Sequence, residues 1–146
     1  MATVNMLLII CLIMLCCWFS YTDITERRIS NKLTYPAILS LLVLRIGFSP
    51  EYLWGLVPGA VLFLVFMINP RAHGAGDIKL IALIGMSVGF ERTISALLMM
   101  CIFVYLYLGY TKLRSGKLPN SIPLSPFLSL GLFVVLQISI KTIGGY

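Results

Sequence analysis

The chain has 146 residues, of which 60% are hydrophobic and only 11% charged, with a formal net charge of +6. So few charges cannot cover a water-facing surface, where about a quarter of residues are normally charged. The composition therefore excludes an ordinary soluble domain and predicts one all-α domain over residues 1–146, a polytopic membrane helix bundle in contact with lipid.

Six apolar runs follow one another. The first, residues 4–20, has no Lys or Arg before Arg27 and no small-x-small cleavage site before the first polar loop. It reads as a retained membrane helix, not a signal peptide. Residues 33–48 and 52–69 form the second and third runs. The fourth, 78–90, is short, about 20 Å of helix at about 1.5 Å per residue, against the roughly 20 residues that a span needs. Runs five and six cover 93–110 and 124–140. Between them lies the longest polar stretch, 111–123, a basic loop with Gly116, Pro119 and Pro123.

The loop charges predict an orientation. Arg27, Arg28 and Lys32 lie in loop one, Arg71 and Lys79 flank loop three, and Lys112, Arg114 and Lys117 lie in loop five. Eight of the eleven basic residues thus share one side of a six-helix arrangement, leaving Arg45, Arg92 and Lys141 on the other. Basic loops stay cytoplasmic, so the chain is expected in the cytoplasmic (inner) membrane with loops one, three and five inside and both termini outside. Merging runs four and five would destroy that asymmetry. The same placement argues against nucleic acid as a partner, because no basic face or tail exists.

Cys11, Cys16, Cys17 and Cys101 all fall in apolar runs without C-x-x-C spacing, so they read as apolar filler, and neither a metal nor a cofactor is expected. No internal repeat or low-complexity segment is present. Gly85 and Gly89 make a G-x-x-x-G step that would permit close helix packing, although chance supplies the same spacing in a glycine-rich chain.

The acidic residues are Asp23, Glu26, Glu51, Asp77 and Glu91. Glu51 and Glu91 fall in outer loops, where solvation explains them. Asp23 follows run one and Asp77 precedes run four, both on the cytoplasmic side, and carboxylates near membrane depth are costly and usually functional. Two carboxyls brought close share a proton. The ionised partner can then act as general base on water while the protonated one polarises a scissile carbonyl. Asp77 lies in G-A-G-D-I-K-L, residues 74–80, where Gly74 and Gly76 allow close approach of a substrate chain. The helix N-terminus and Lys79 would favour its ionised form. Simpler roles exist: Asp77 as a helix N-cap, Asp23 as an interfacial charge beside Arg27 and Arg28, Lys79 as a headgroup anchor, and the lone His73 as a surface residue.

These residues resemble the type IV prepilin peptidases, membrane aspartic peptidases with a G-x-G-D motif. G-A-G-D-I-K-L-I-A-L-I-G, residues 74–85, resembles the second-aspartate signature. D-I-T-E-R-R-I-S-N, residues 23–31, is similar to the first-aspartate signature, with Ser30 in place of the usual Pro and Asn31 still available to cap the next helix. I-P-L-S-P-F-L, residues 122–128, with Gly131 beyond, resembles the late Pro-rich stretch. The resemblance implies that Asp23 and Asp77 are the catalytic pair. It also implies that the substrate is a prepilin or pilin-like precursor, cut between its short basic cytoplasmic leader and its apolar helix. The chain opens directly on the first helix, without the cysteine-bearing region of larger members that also methylate their product. A peptidase without methyltransferase activity is therefore expected, closest to the short Tad/Flp form.

Three alternatives stand beside this. A presenilin-like peptidase would have more helices and a Tyr-Asp pair, whereas Thr22 precedes Asp23 here. A transporter would place acidic or polar groups at mid-membrane, where the runs have almost none. A non-catalytic subunit of a pilus or secretion assembly would have little use for both aspartates within intact motifs.

Overall fold

The computed structural model describes residues 2–26, 31–68, 75–116 and 122–144. Every expected run is helical: α1 (Ala2–Glu26), α2 (Asn31–Phe48), a 3-10 segment (Pro50–Gly55) leading into α3 (Leu56–Ile68), α4 (Ala75–Val88), α5 (Phe90–Ser115) and α6 (Ser125–Gly144). Among the described residues there is no strand. Met6–Thr25, Pro50–Ile68 and Phe90–Arg114 are long and apolar enough to cross a membrane, while Thr34–Phe48 and Ser125–Ser139 are shorter apolar stretches. The main difference from the sequence reading lies at the end of the first run. α1 continues through Asp23 to Glu26, so Asp23 is held on a helix and not in a loop.

The short fourth helix is the hub. α4 packs against α1, α2, α3 and α5, and Ile78, Leu80, Ile81, Leu83, Ile84, Met86 and Val88 are all buried. A helix that is apolar all round belongs inside a bundle. At 14 residues α4 is only about 21 Å long, and its length is explained by contact with protein instead of lipid.

Small residues let the neighbours close on it. Gly85 meets Gly55 backbone to backbone, so that a Cβ on either would fall inside the other's carbonyl group. One turn on, a Cβ on Gly59 would lie 3.1 Å from the Ala82 methyl. The other glycine of the G-x-x-x-G step does something else. Gly89 has φ +89°, a left-handed conformation that turns the chain from α4 into α5 in one residue. Runs four and five are thus separate helices. α5 and α6 close similarly, with Gly131 so near α5 that a Cβ there would stand 2.6 Å from the Ala96 carbonyl oxygen. The Tyr107 and Phe127 rings meet at 5.4 Å.

At the C-terminal end of α4 stands an arginine that the sequence reading only counted among the charges of the outer side. Arg45 belongs to α2 and is 2% exposed. Its Nε donates to the Met86 carbonyl (2.9 Å) and its Nη2 to the Ser87 carbonyl (2.8 Å). Nη1 donates to Ser49 Oγ at 3.0 Å, and the guanidinium lies 3.9 Å from the Tyr52 ring centroid. The last carbonyls of a helix lack intrahelical donors. Arg45 supplies them, and its charge suits the negative end of the helix.

Candidate active site

Three helix ends converge at the opposite end of α4. Asp23 comes from the end of α1, Asp77 from the first turn of α4, and Ser125 from the first residue of α6. Ser125 is fully buried. The Leu128 N–H donates to the Leu124 carbonyl at 3.0 Å, so the Ser125 N–H falls among the N–H groups at the helix start that lack an intrahelical acceptor. It donates to Asp23 Oδ2 at 3.2 Å. The Ser125 hydroxyl donates to Asp77 Oδ1 at 3.5 Å, a loose contact for an O–H···O bond. Pro126 follows and has no N–H to satisfy, which suits it to a helix start.

Hydroxyls on the next turns bind α1 to α6. Ser129 donates to the Ser125 carbonyl at 2.8 Å and pairs with Ser20 Oγ at 2.7 Å. The two aspartates are therefore tied to α6 at one point by a backbone donor and a hydroxyl, beside a hydrogen-bonded seam.

Their surroundings differ. Asp77 stands just ahead of the apolar run, and its carboxyl is pushed up from 3.8 to about 6. Burial is the main cause and the nearby Asp23 carboxylate adds to it, while the Ser125 hydroxyl pulls the other way. This reverses the expectation that the helix N-terminus and Lys79 would favour ionised Asp77. Desolvation and a like charge outweigh the helix end, and Lys79 Nζ lies over the Tyr35 ring of α2, 4.4 Å from its centroid. Asp23 accepts a backbone N–H at the positive end of α6, an arrangement that stabilises a negative charge.

From Asp77 an apolar groove of about 490 Å³ runs between α3, α4 and α5, lined among others by Val61, Ile81, Phe90, Ile94 and Leu97. Among the described residues, Asp77 is the one ionisable carboxyl on its wall. Glu51 and Glu91 are elsewhere, exposed in a shallow crevice with Tyr52, Gly89 and Arg92. Among the described residues no three His, Cys, Asp or Glu side chains cluster as metal ligands.

Of the other residues singled out in the sequence, Gly76 lies in the first turn of α4, and Asn31 is the first residue of α2. Gly74, His73, Arg27, Arg28, Ser30, Arg71 and Lys117 lie outside the described residues, as do the side chains of Asn31, Lys32 and Lys141. The sequence reading assigned no role to Ser125, although Pro123 and Pro126 on either side mark a helix start.

A family model described as the type IV leader peptidase family matches residues 8–109, a stretch that contains both aspartates and ends before Ser125. No curated protein and no solved structure matches the chain. The family match covers more than two thirds of the 146 residues, and on that ground the chain belongs to the type IV leader peptidase family.

Proposed function

We propose that this chain is an aspartic endopeptidase that removes the short basic leader from type IV prepilins or pilin-like precursors at the cytoplasmic face of the inner membrane. The observation that carries the reading is the convergence of Asp23 and Asp77, from the ends of α1 and α4, on the single residue Ser125. Family membership supports leader peptidase activity in general; the aspartic mechanism rests on this geometry.

The unequal surroundings suggest the division of labour. Asp23, held by an N–H at a helix start, is the ionised base and takes a proton from water. The hydroxide attacks the scissile carbonyl carbon while protonated Asp77 delivers its proton to the carbonyl oxygen. As the tetrahedral diol collapses, the C–N bond breaks, Asp77 regains its proton from the diol, and the leaving amine takes the proton from Asp23. A carboxyl with pKa about 6 keeps a usable protonated fraction near neutral pH.

The groove supports the choice of substrate. It is apolar along α3, α4 and α5 and reaches Asp77. An apolar substrate helix lying in it would bring the peptide bond at its end to the carboxyls, leaving a basic leader beyond them.

Cleavage of a co-expressed prepilin in membranes tests the proposal, comparing the intact chain with Asp23→Asn and Asp77→Asn at matched expression. Each change is expected to abolish processing. Normal cutting by either variant would return Asp77 to a helix cap and favour a non-catalytic assembly subunit. The proposal is hydrolysis alone, so transfer of a labelled methyl group from S-adenosylmethionine to the product by the purified protein would contradict it.

A further inference from the structure

Ser125 offers two donors from one backbone position, and each meets a different aspartate. Its N–H is fixed by the start of α6 and can only donate, and it meets Asp23 Oδ2 at 3.2 Å. Its hydroxyl rotates, can donate or accept, and meets Asp77 Oδ1 at 3.5 Å. The residue is 0% exposed, so both donors face protein and not solvent. Its own carbonyl is occupied by Ser129, which fixes the first turn of α6 against α1.

We propose that Ser125 is a positioning residue for the peptidase reaction, holding the Asp23 and Asp77 carboxylates to one point and making them unequal. This rests on the two-aspartate reading above. The backbone donor serves the carboxyl that starts the reaction charged and accepts the proton of water. The hydroxyl serves the one that gains and loses a proton, donating to it when ionised and free to turn when it is protonated. A 3.5 Å contact leaves room for that change and tightens when Asp77 carries charge.

Among the described residues, the other groups around Asp77 do not replace the hydroxyl. α1 brings the Asp23 carboxylate, which repels charge on Asp77. α4 itself brings Lys79, and α2 brings Tyr35, which sits under the Lys79 ammonium. α5 brings the Cys101 thiol and α3 brings only apolar groups to the shared groove. Ser125 is the residue of α6 bonded to Asp77.

The experiment is a pH–rate profile of prepilin cleavage by the full chain in proteoliposomes, for the intact protein and for Ser125→Ala, Ser125→Thr and Ser125→Cys. Loss of one hydrogen bond, long at 3.5 Å, predicts a kcat about three- to ten-fold lower for Ser125→Ala, with KM unchanged. It also predicts an alkaline limb moved upward by about half to one pH unit, because ionised Asp77 has lost a donor. Ser125→Thr restores both. If the alanine variant does not fold, Ser125→Cys, nearly the same size with a weaker donor, is expected to shift the limb in the same direction.

An unmoved limb in folded Ser125→Ala or Ser125→Cys overturns the positioning role, as does a change in KM alone. If that occurs while Asp23→Asn and Asp77→Asn are both inactive, the two-aspartate reading survives and only the role of Ser125 falls. Normal cleavage by either asparagine variant removes both.

Discussion

Asp77→Asn should abolish cleavage and make the protein more stable. Burial beside Asp23 raises the Asp77 carboxyl from 3.8 to about 6, so the folded state resists its ionisation more than the unfolded state does. The favourable contribution of protonated Asp77 is therefore complete below pH 3.8 and lost as pH rises through about 6. At about 1.4 kcal/mol per pH unit, the displacement amounts to about 3 kcal/mol at pH 8. Asparagine has nearly the same shape, accepts the Ser125 hydroxyl and never ionises. Unfolding of the detergent-solubilised protein, followed at pH 4, 6 and 8, should show the variant ahead by about 3 kcal/mol at pH 8, with the gap closing towards pH 4. A variant equal to or weaker than the intact protein at pH 8, or a gap independent of pH, would refute the argument. Asp23→Ala should behave oppositely, losing about 1 kcal/mol because the N–H at the start of α6 loses its acceptor.

The other expectations concern packing and the groove. Arg45→Met leaves the Met86 and Ser87 carbonyls without their donors and should cost about 3 kcal/mol in thermal unfolding; Arg45→Lys should recover only part, since an ammonium cannot span both carbonyls as a guanidinium does. Gly85→Ala places a methyl in the Gly55 carbonyl and should abolish folded, monodisperse protein in detergent. Gly109→Ala meets nothing within 4 Å and should leave unfolding unchanged within about 0.5 kcal/mol. Leu97→Trp narrows the groove and should raise KM for a full-length precursor several-fold with kcat little changed; an equal fall in kcat would argue that the groove serves the bundle and not the substrate.

The sequence displayed the helices because apolar runs broken by Gly, Pro and charge are local signals, and it displayed the family because the motif residues are contiguous. It also marked the two carboxyls, since an acid at the edge of an apolar run stands out whatever surrounds it. Partners supplied by other helices were hidden. Arg45 counted only as an outer charge near the end of run two, because the α4 carbonyls it binds lie about forty residues further on. Ser125 looked like an ordinary helix start because nothing local shows that α1 and α4 end beside it. The G-x-x-x-G spacing named the right glycine and the wrong partner. Gly85 packs on Gly55, while Gly89 turns the chain. The direction of the Asp77 shift was misread because a helix terminus can be seen in sequence and desolvation cannot.

The two ends of α4 show how the fold accommodates a costly site. A short helix enclosed by four others has unsatisfied backbone groups at both ends that need partners. At the C-terminal end the solution favours stability, with a buried guanidinium on two carbonyls and its face on Tyr52. At the N-terminal end the fold places a carboxyl where ionisation is opposed and a second carboxyl makes it harder. As a cap alone, that end would work better with asparagine or serine, which carry no charge to desolvate. That cost falls at the end where α1, α4 and α6 meet, and the other end of α4 is held by the Gly55–Gly85 contact and the Arg45 clamp. A site that opposes its own charge at one end of a helix anchored at the other is the arrangement expected when the carboxyls are kept for chemistry and not for the fold.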